Sequence, residues 1–261
     1  CRMHLAGEIR NNSSQAMAGI ALSCEIVDAA GNSLLVDESG NRVPGVLFSP
    51  LLESLAPGEV APFTYGFDMA LGTPADYSVT VAGYQAGSVE RANLVVEHIN
   101  LADDGRGSLT LTGEVLNTGS EWVRINALAG GVLGADSLLL SADWSSSHAS
   151  MLAPAGDIAG HDRTPFVISF AHPGGTVLTP NVYLDADLTN PPGDFPLSVD
   201  STNAYYDQYG AYHIVGTLTN HSEWRVDTRL VAGLYASDGT VLDALSLGFP
   251  VALDPGEMAP F

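Results

Sequence analysis

The sequence predicts an all-β chain of three tandem antiparallel β-sandwich modules, the first and last of them incomplete. A Gly-x-x-x-Asn segment occurs at 7–11, 113–117 and 216–220, spaced 106 and then 103 residues apart. A Leu-x-Pro segment follows each of these and leads to a Pro-Phe pair that ends at Phe63, Phe166 or Phe261. A period of about one hundred residues suits a string of small domains better than a solenoid.

Each Gly-x-x-x-Asn segment is predicted to be a half-buried strand. Apolar and polar residues alternate along it, which is typical of an antiparallel strand with one side facing solvent. We interpret its Gly as a site of close packing or a bulge, its Asn as a left-handed turn residue, and the later Pro-Gly as a tight turn. No long 3.6-residue apolar stripe with caps occurs, so no helix is predicted.

A second strand is predicted after each Asn and its turn. Its inward residues should be Ile20, Leu22, Cys24 and Ile26 in the first module, Val123, Ile125, Ala127 and Ala129 in the second, and Val226, Leu230, Ala232 and Leu234 in the third.

The second module, residues 88–192, contains the complete unit. Its strands are predicted near 93–101, 109–117, 122–133, 137–142, 166–170 and 177–187. Short strands separated by turn signals are typical of an immunoglobulin-like sandwich. We predict that its core contains Leu109, Leu111, Val115, Ile125, Phe166 and Phe170. Residues 83–88 and 191–194 are predicted linkers.

The first module, residues 1–87, and the third, residues 193–261, each lack part of this unit. The first opens directly in its Gly-x-x-x-Asn strand, without a leading strand, and the third reaches only Phe261, where the other two continue with further strands. An incomplete sandwich leaves a strand edge and part of its core exposed. We therefore expect the remaining strands to be supplied in trans by an adjoining molecule, or in cis by further chain.

Composition excludes several classes of partner. Thirty acidic and nine basic residues give a formal charge of -21, and every basic residue is Arg. Such a surface repels nucleic-acid phosphates and anionic lipid headgroups, so neither partner is expected. The longest apolar stretches have the length of a strand, which predicts no membrane insertion, and no signal peptide is recognisable at the start.

Three features together resemble a known group of domains: the Gly-x-x-x-Asn strand and turn, the segment Tyr235-Ala236-Ser237-Asp238-Gly239-Thr240-Val241-Leu242, and the Leu-x-Pro-Gly-Glu-x-x-Pro-Phe segment. They are similar to the FxLYD and CARDB-like families of extracellular β-sandwich domains from bacteria and archaea. Residues 26–34 look like the same element in the first module, whereas the second departs at 134–137 and carries an insertion between Pro154 and Pro165. The resemblance implies adhesion, scaffolding or spacing at a cell surface, and it implies no catalytic residues.

The two cysteines share the parity of inward-facing residues on strands joined by one turn. We predict a disulfide between Cys1 and Cys24, and with it an oxidising, extracytoplasmic setting. A lipid-modified Cys1 is the alternative, although such a terminus normally needs a flexible tether.

Candidate metal-binding and catalytic residues form no recognisable motif in the sequence. Two pairs of acidic residues could bind calcium: Asp185 and Asp187 on one strand, and Asp103 and Asp104 in a turn. They are weak candidates, because neither pair has the spacing of a dedicated calcium loop, and no other cofactor is expected. The seven His residues form no zinc-binding pattern. No nucleophile elbow or phosphate loop occurs, so no catalytic residue is predicted.

Two further sets of surface residues are candidate sites. Trp122 and Trp224 occupy similar Ser-Glu-Trp turns and could stack on sugars. Asn11, Asn12 and Asn220 carry sequons for glycosylation.

The leading functional hypothesis is a non-enzymatic extracellular structural protein. Its tandem sandwiches would act as a spacer or a scaffold. They could also assemble into a filament, in which strand complementation joins copies of the chain or neighbouring modules. A stalk or binding region of a larger secreted enzyme or adhesin is the alternative, and a carbohydrate-binding module is the third hypothesis.

Overall fold

A computed structural model describes residues 2–37, 39–68, 72–157, 160–174, 179–191, 197–248 and 252–261, and within them the chain forms eighteen strands and no helix. The first module contains β1 (Arg2–Arg10), β2 (Ala16–Val27), β3 (Val46–Phe48), β4 (Ser54–Leu55), β5 (Val60–Asp68) and β6 (Asp76–Gly87). The second contains β7 (Leu94–Asp103), β8 (Ser108–Asn117), β9 (Trp122–Leu133), β10 (Leu139–Trp144), β11 (Met151–Leu152), β12 (Arg163–Ala171) and β13 (Thr179–Thr189). The third contains β14 (Leu197–Tyr206), β15 (Tyr212–Asn220), β16 (Arg229–Tyr235), β17 (Val241–Gly248) and β18 (Met258–Pro260).

The second module is a sandwich of two antiparallel sheets. One sheet has the order β7-β8-β12, and in the other β9 pairs with β10, β11 and β13. All six residues predicted for its core, Leu109, Leu111, Val115, Ile125, Phe166 and Phe170, are buried together in one apolar cluster. The alternation of apolar and polar residues therefore identified the inward faces of β8 and β12 correctly.

The same pairing scheme recurs, with gaps, in the other two modules. β1 pairs only with β5 among the described strands, whereas its counterpart β8 lies between β7 and β12. Within the part of the chain that the structure describes, β16 pairs only with β17, whereas its counterpart β9 also pairs with β13. Among the described residues these sheets therefore have fewer paired strands than those of the second module, and the division into three modules and their boundaries stay predictions.

The predicted linkers fit less well. β6 pairs with β2 as far as Gly87, so most of the linker predicted at 83–88 is strand. The linker predicted at 191–194 lies, apart from Pro191, outside the described residues.

The repeated Gly makes room for the ring of the repeated Phe. Gly7 pairs directly with Phe63, and Gly113 with Phe166, so both residues of each pair face the same side of the sheet. A Cβ atom on Gly113 would lie 2.7 Å from the Phe166 ring, and one on Gly7 would lie 2.5 Å from the Phe63 ring. The same distance at Gly216 and Phe261 is 2.5 Å. Close packing, the first of the two predicted roles, is therefore the function of this Gly.

The repeated Asn is a buried hydrogen-bonding residue. The side-chain Nδ2 of Asn117 donates to the carbonyl oxygens of Glu121 and Ala153, at 2.9 and 2.8 Å, and its Oδ1 accepts from the backbone N–H of Gly119. Asn11 and Asn220 make the corresponding bonds in their modules. None of the three has a positive φ, so the predicted left-handed conformation was wrong. The left-handed conformation occurs instead at the Gly of the Pro-Gly turns, with φ of +83° at Gly58 and +73° at Gly256.

A bulge changes the predicted inward face of β9. Asp185 pairs with Ala127 and the next residue, Ala186, pairs with Ile125, which leaves Asn126 without a partner in the ladder. Val123 and Ile125 face the core of the second module, as predicted, but Ala127 and Ala129 join the apolar cluster of the first. A single extra residue inverts the side-chain alternation beyond it, and the sequence does not signal this bulge.

Truncation of Phe166 to Ala should destabilise the second module by about 3 to 5 kcal/mol. The fully buried ring fills the space above Gly113, and its removal leaves a cavity. Urea unfolding would measure the change, and a loss below about 1 kcal/mol would show that this ring does not anchor the core.

Substitution of Gly113 by Ala should cost about 1 to 3 kcal/mol through overpacking, because the added methyl group meets the Phe166 ring. Gly83→Ala is the matched control, since a Cβ atom there meets nothing within 4 Å. Thermal unfolding of both variants would check this, and equal stabilities would contradict the proposed packing.

Candidate functional site: the joints between modules

Adjacent modules share an apolar cluster. The core cluster of the first module includes five residues from the outer face of the second module's β9 sheet: Ala127, Ala129, Leu139, Ala142 and Tyr183. These residues are buried together with Leu5 and Phe63 of the first module. Burial of apolar surface between two domains stabilises a fixed arrangement, so this contact is more than a flexible connection.

Arg91, in the segment between β6 and β7, makes a polar clamp beside that cluster. Its Nε and Nη2 donate to the Glu59 carboxylate at 2.9 and 2.6 Å, and its Nη1 donates to Asp185 at 2.6 Å. The Asp185 carboxylate is fully buried and also accepts from the backbone N–H and the hydroxyl of Ser54. Ser54 of β4, Glu59 in the turn before β5 and Asp185 of β13 are therefore tied to one guanidinium group.

The charged groups of this clamp shift one another's pKa values towards the ionised forms. Burial alone would raise the pKa of Glu59, but hydrogen bonds from Arg91 and from the Ala56 N–H, with the Arg91 charge, lower it below its ordinary value. Burial would likewise lower the pKa of Arg91, yet Glu59 and Asp185 raise it. Both groups are therefore held in their charged forms at neutral pH, which a partly buried ion pair requires.

Two more hydrogen bonds cross the same joint. The Tyr183 hydroxyl donates to Glu8 at 2.6 Å, and the Trp144 Nε1 donates to the carbonyl oxygen of Leu51 at 3.0 Å. Burial, and then the bond to Glu8, raise the pKa of Tyr183, which keeps the phenol protonated as the donor. Trp144 also lines a cleft of about 690 Å³ between the two modules.

The second and third modules meet in a similar way. The Tyr235 hydroxyl donates to the buried carboxylate of Glu114 at 2.7 Å, and Arg163 donates to the other oxygen of Glu114 at 3.3 Å. The Thr112 hydroxyl donates to the carbonyl oxygen of Val241. A Cβ atom on Gly233, in β16, would lie 2.9 Å from the Pro165 ring, so the β16 backbone lies close to this ring.

The two joints share one position of the repeat. Glu8 and Glu114 each follow the repeated Gly, and each accepts a hydrogen bond from a Tyr hydroxyl of the next module. The third module has Thr217 at this position. Neither Glu8 nor Glu114 is among the site residues predicted from the sequence, although both are carboxylates at the same repeat position on the polar side of a strand.

The four calcium candidates have protein partners. Asp185 binds Arg91, Asp187 accepts from Asn126 at 2.8 Å, and Asp104 accepts the backbone N–H groups of Arg106 and Ser108. Asp103 lies 3.6 Å from His172. Among the described residues no group of three or more His, Cys, Asp or Glu could hold a metal ion.

The predicted disulfide is not seen. Cys24 has a free thiol that is fully buried among the core residues of β2, and burial, followed by the Glu25 charge, raises its pKa. Cys1 lies outside the described residues. Cys24 therefore packs as a small apolar residue, and no disulfide among the described residues supports the predicted oxidising compartment.

Burial also changes the interpretation of the sequons and of the Trp pair. Asn11 and Asn220 are buried, and their Nδ2 atoms donate to carbonyl oxygens, so a glycan at either would remove these bonds. Asn12 is exposed.

Trp122 is buried and Trp224 is exposed. The side chain of Asn220 donates to the carbonyl oxygen of Trp224, whereas the side chain of Asn117 donates to that of Glu121, the residue before Trp122. The two Trp residues are therefore not equivalent, and together they do not form a paired platform for a sugar.

One Ser, His and Asp cluster lies on the surface of the third module. The Ser198 hydroxyl is 2.7 Å from Nε2 of His221 and donates to Asp200, which also accepts from Thr219. A catalytic triad needs the carboxylate on the other nitrogen of the His. Because Asp200 binds the Ser instead, this arrangement does not activate a nucleophile.

Acidification should loosen the joint between the first two modules. The pKa of Glu59 is lowered in the folded chain, so its contribution is fully present above the ordinary value of 4.5 and is lost as the pH falls through the lower folded value. Amide exchange at residues 54–56 and 91–93 should therefore speed up in that window, and less so in Glu59→Gln. Equal pH dependence in both proteins would contradict this account.

Comparison with known proteins gives the chain no relative: no family model, no curated protein and no solved structure matches it. Within the described residues, no helix is long and apolar enough to cross a membrane.

Proposed function

We propose that this chain is a non-enzymatic extracellular scaffold whose β-sandwiches are held at fixed positions relative to one another. The observation that supports this most is the joint between the first two modules, which combines a shared apolar cluster with a buried, charged clamp. A protein that spaces or supports other parts must resist bending between its domains. A flexible linker alone would not do so.

The polar groups of the joint supply specificity of position. An apolar contact tolerates sliding, whereas the three donors of Arg91 satisfy Glu59, Asp185 and Ser54 in only one arrangement. Leaving the Asp185 carboxylate buried without its partner is strongly unfavourable. The clamp therefore opposes rotation of the first module against the second.

The charge pattern supports placement outside the cell or at its surface. A net charge of -21 without Lys discourages contact with nucleic acids and anionic membranes and favours a dispersed chain. The resemblance to extracellular repeat domains points the same way. The extracellular setting is part of the proposal and does not depend on the disulfide.

A binding region or stalk of a larger secreted enzyme or adhesin is the second candidate. It is favoured by the cleft between the first two modules, where the ring of Trp144 is exposed beside Asp187 and Asn126. An aromatic face next to polar groups suits a sugar or a similar ligand. A rigid joint would serve this function as well, because it would preserve the shape of the cleft.

Small-angle X-ray scattering tests the rigid scaffold directly. One arrangement of the modules should account for the scattering curve of the wild-type chain. Arg91→Ala should raise the radius of gyration and require several arrangements, because it leaves Asp185 unpaired, whereas Arg106→Ala at an exposed turn should change nothing. The proposal fails if the wild-type curve already requires a broad mixture of bent forms.

A further inference from the structure

The cleft between the first two modules has a β-bulge in each of its walls. In β9, Asn126 has no partner in the ladder with β13, and in β2 the residues Gly19 and Ile20 lie opposite Tyr84 alone. Asn126, Gly19 and Ile20 all line the cleft, whose volume is about 690 Å³. A Cβ atom on Gly19 would meet nothing within 4 Å, so this wall faces open space. Bulges redirect the side chains of a strand, and they are common beside active sites.

A fixed aromatic ring lies in the same cleft. Trp144 lines it and is 54% exposed. Its Nε1 donates to the carbonyl oxygen of Leu51 at 3.0 Å, so the ring is already held in place and loses little freedom when a ligand binds. An indole ring held in this way stacks on the apolar face of a sugar ring. It also attracts a positive charge.

The electrostatics of the cleft favour a cation. The described residues that line it include three carboxylates, Glu53, Asp185 and Asp187, and no Arg or Lys. Asp185 is balanced by Arg91 at 2.6 Å, whereas Asp187 lies 3.9 Å from the same guanidinium group and Glu53 is exposed. Burial lowers the pKa of His148, which also lines the cleft, so this ring adds no positive charge at neutral pH. The cleft is therefore negatively charged and repels an anionic ligand.

Hydrogen bonding in the cleft favours a ligand that donates. The Nδ2 of Asn126 is already bonded to Asp187, at 2.8 Å, which leaves the amide oxygen and the second carboxylate oxygen as acceptors. The backbone N–H groups of Gly19 and Ser54 are bonded within the walls. A peptide brings one backbone acceptor for each donor and would find few donors here, whereas a protonated amine only donates.

We infer that this cleft binds an oligosaccharide of amino sugars whose amino groups are protonated. The apolar face of one sugar ring lies on Trp144, the hydroxyl and ammonium groups donate to Asn126 and Asp187, and the positive charge balances the carboxylates. Such a ligand combines a ring face, several donors and a positive charge, which are the three properties that the cleft selects. The inference rests on the second candidate function, because it names the ligand class of the same cleft.

A tetramer of glucosamine and a tetramer of N-acetylglucosamine test the inference with the chain as it exists. The two ligands have the same rings, but only the first is positively charged at about pH 6, where the carboxylates are ionised. Isothermal titration calorimetry should show about tenfold tighter binding of the glucosamine tetramer, and added salt should reduce this difference.

The possible failures of this titration differ in meaning. Equal binding of the two tetramers would overturn the inference and leave the cleft as a site for uncharged sugars, so the second candidate function would stand. Absence of binding would overturn both. Neither result would affect the rigid scaffold, which the scattering experiment tests separately.

Two matched variants test the role of charge. Asp187→Asn should weaken binding of the glucosamine tetramer about tenfold and leave binding of the N-acetylglucosamine tetramer unchanged. Glu121→Gln is the control, because it removes an exposed carboxylate of the same module that does not line the cleft, and it should change neither affinity. Equal effects of the two variants would show that overall charge, and not the cleft, attracts the ligand.

The indole N–H resonances of the chain locate the ligand. During titration with the glucosamine tetramer the Trp144 resonance should shift, whereas that of Trp224, which is similarly exposed at 57%, should not. Equal shifts would mean stacking on any exposed indole and would overturn the inference. A tetrapeptide of lysine is the last comparison. If it binds as tightly as the glucosamine tetramer, the cleft accepts a basic partner protein and the inference is wrong.

Discussion

The fold depends on one repeated contact, a Phe ring that lies on a Gly in the neighbouring strand. In each of the three repeats the Phe ring occupies the space beside the Gly Cα where any other residue would place its side chain. A Cβ atom added to the Gly would lie within 3 Å of the ring. This contact brings the two strands of one sheet into a single register. The buried Asn four residues later then binds the carbonyl groups of the following turn and of the Leu-x-Pro segment. Two motifs that are far apart in the sequence thus form one structural unit.

The joints build on that unit. The residue after the repeated Gly faces away from the core, and in the first two modules it is a Glu that binds a Tyr of the next module. The register fixed by the Gly and Phe contact therefore also fixes where the next module is held. Arg91 adds a second constraint at the first joint, because its guanidinium is shared by Glu59 and Asp185. A few polar residues on the outward faces of the sandwiches therefore fix the position of each module relative to the next.

Much of the fold could be predicted from the sequence because the repeats and the period-two alternation are local patterns. The strands around Leu111 and Phe166 and their inward faces follow from them. The site could not be predicted in the same way. Arg91 gains its role from Glu59 and Asp185, which lie 32 and 94 residues away in the chain, and nothing local in the sequence indicates that they meet. The sequence also gives no signal of the bulge at Asn126, although this bulge turns Ala127 and Ala129 towards the first module.

We propose that the first two modules form one rigid body through this joint. Residual dipolar couplings of backbone amides, measured in a weakly aligned sample, test it most directly, because each rigid body reports its own alignment tensor. Couplings from residues 2–68 and from residues 94–189 should fit one common tensor together with the orientation described here. Two tensors of clearly different magnitude would mean that the modules move independently, and would contradict the account.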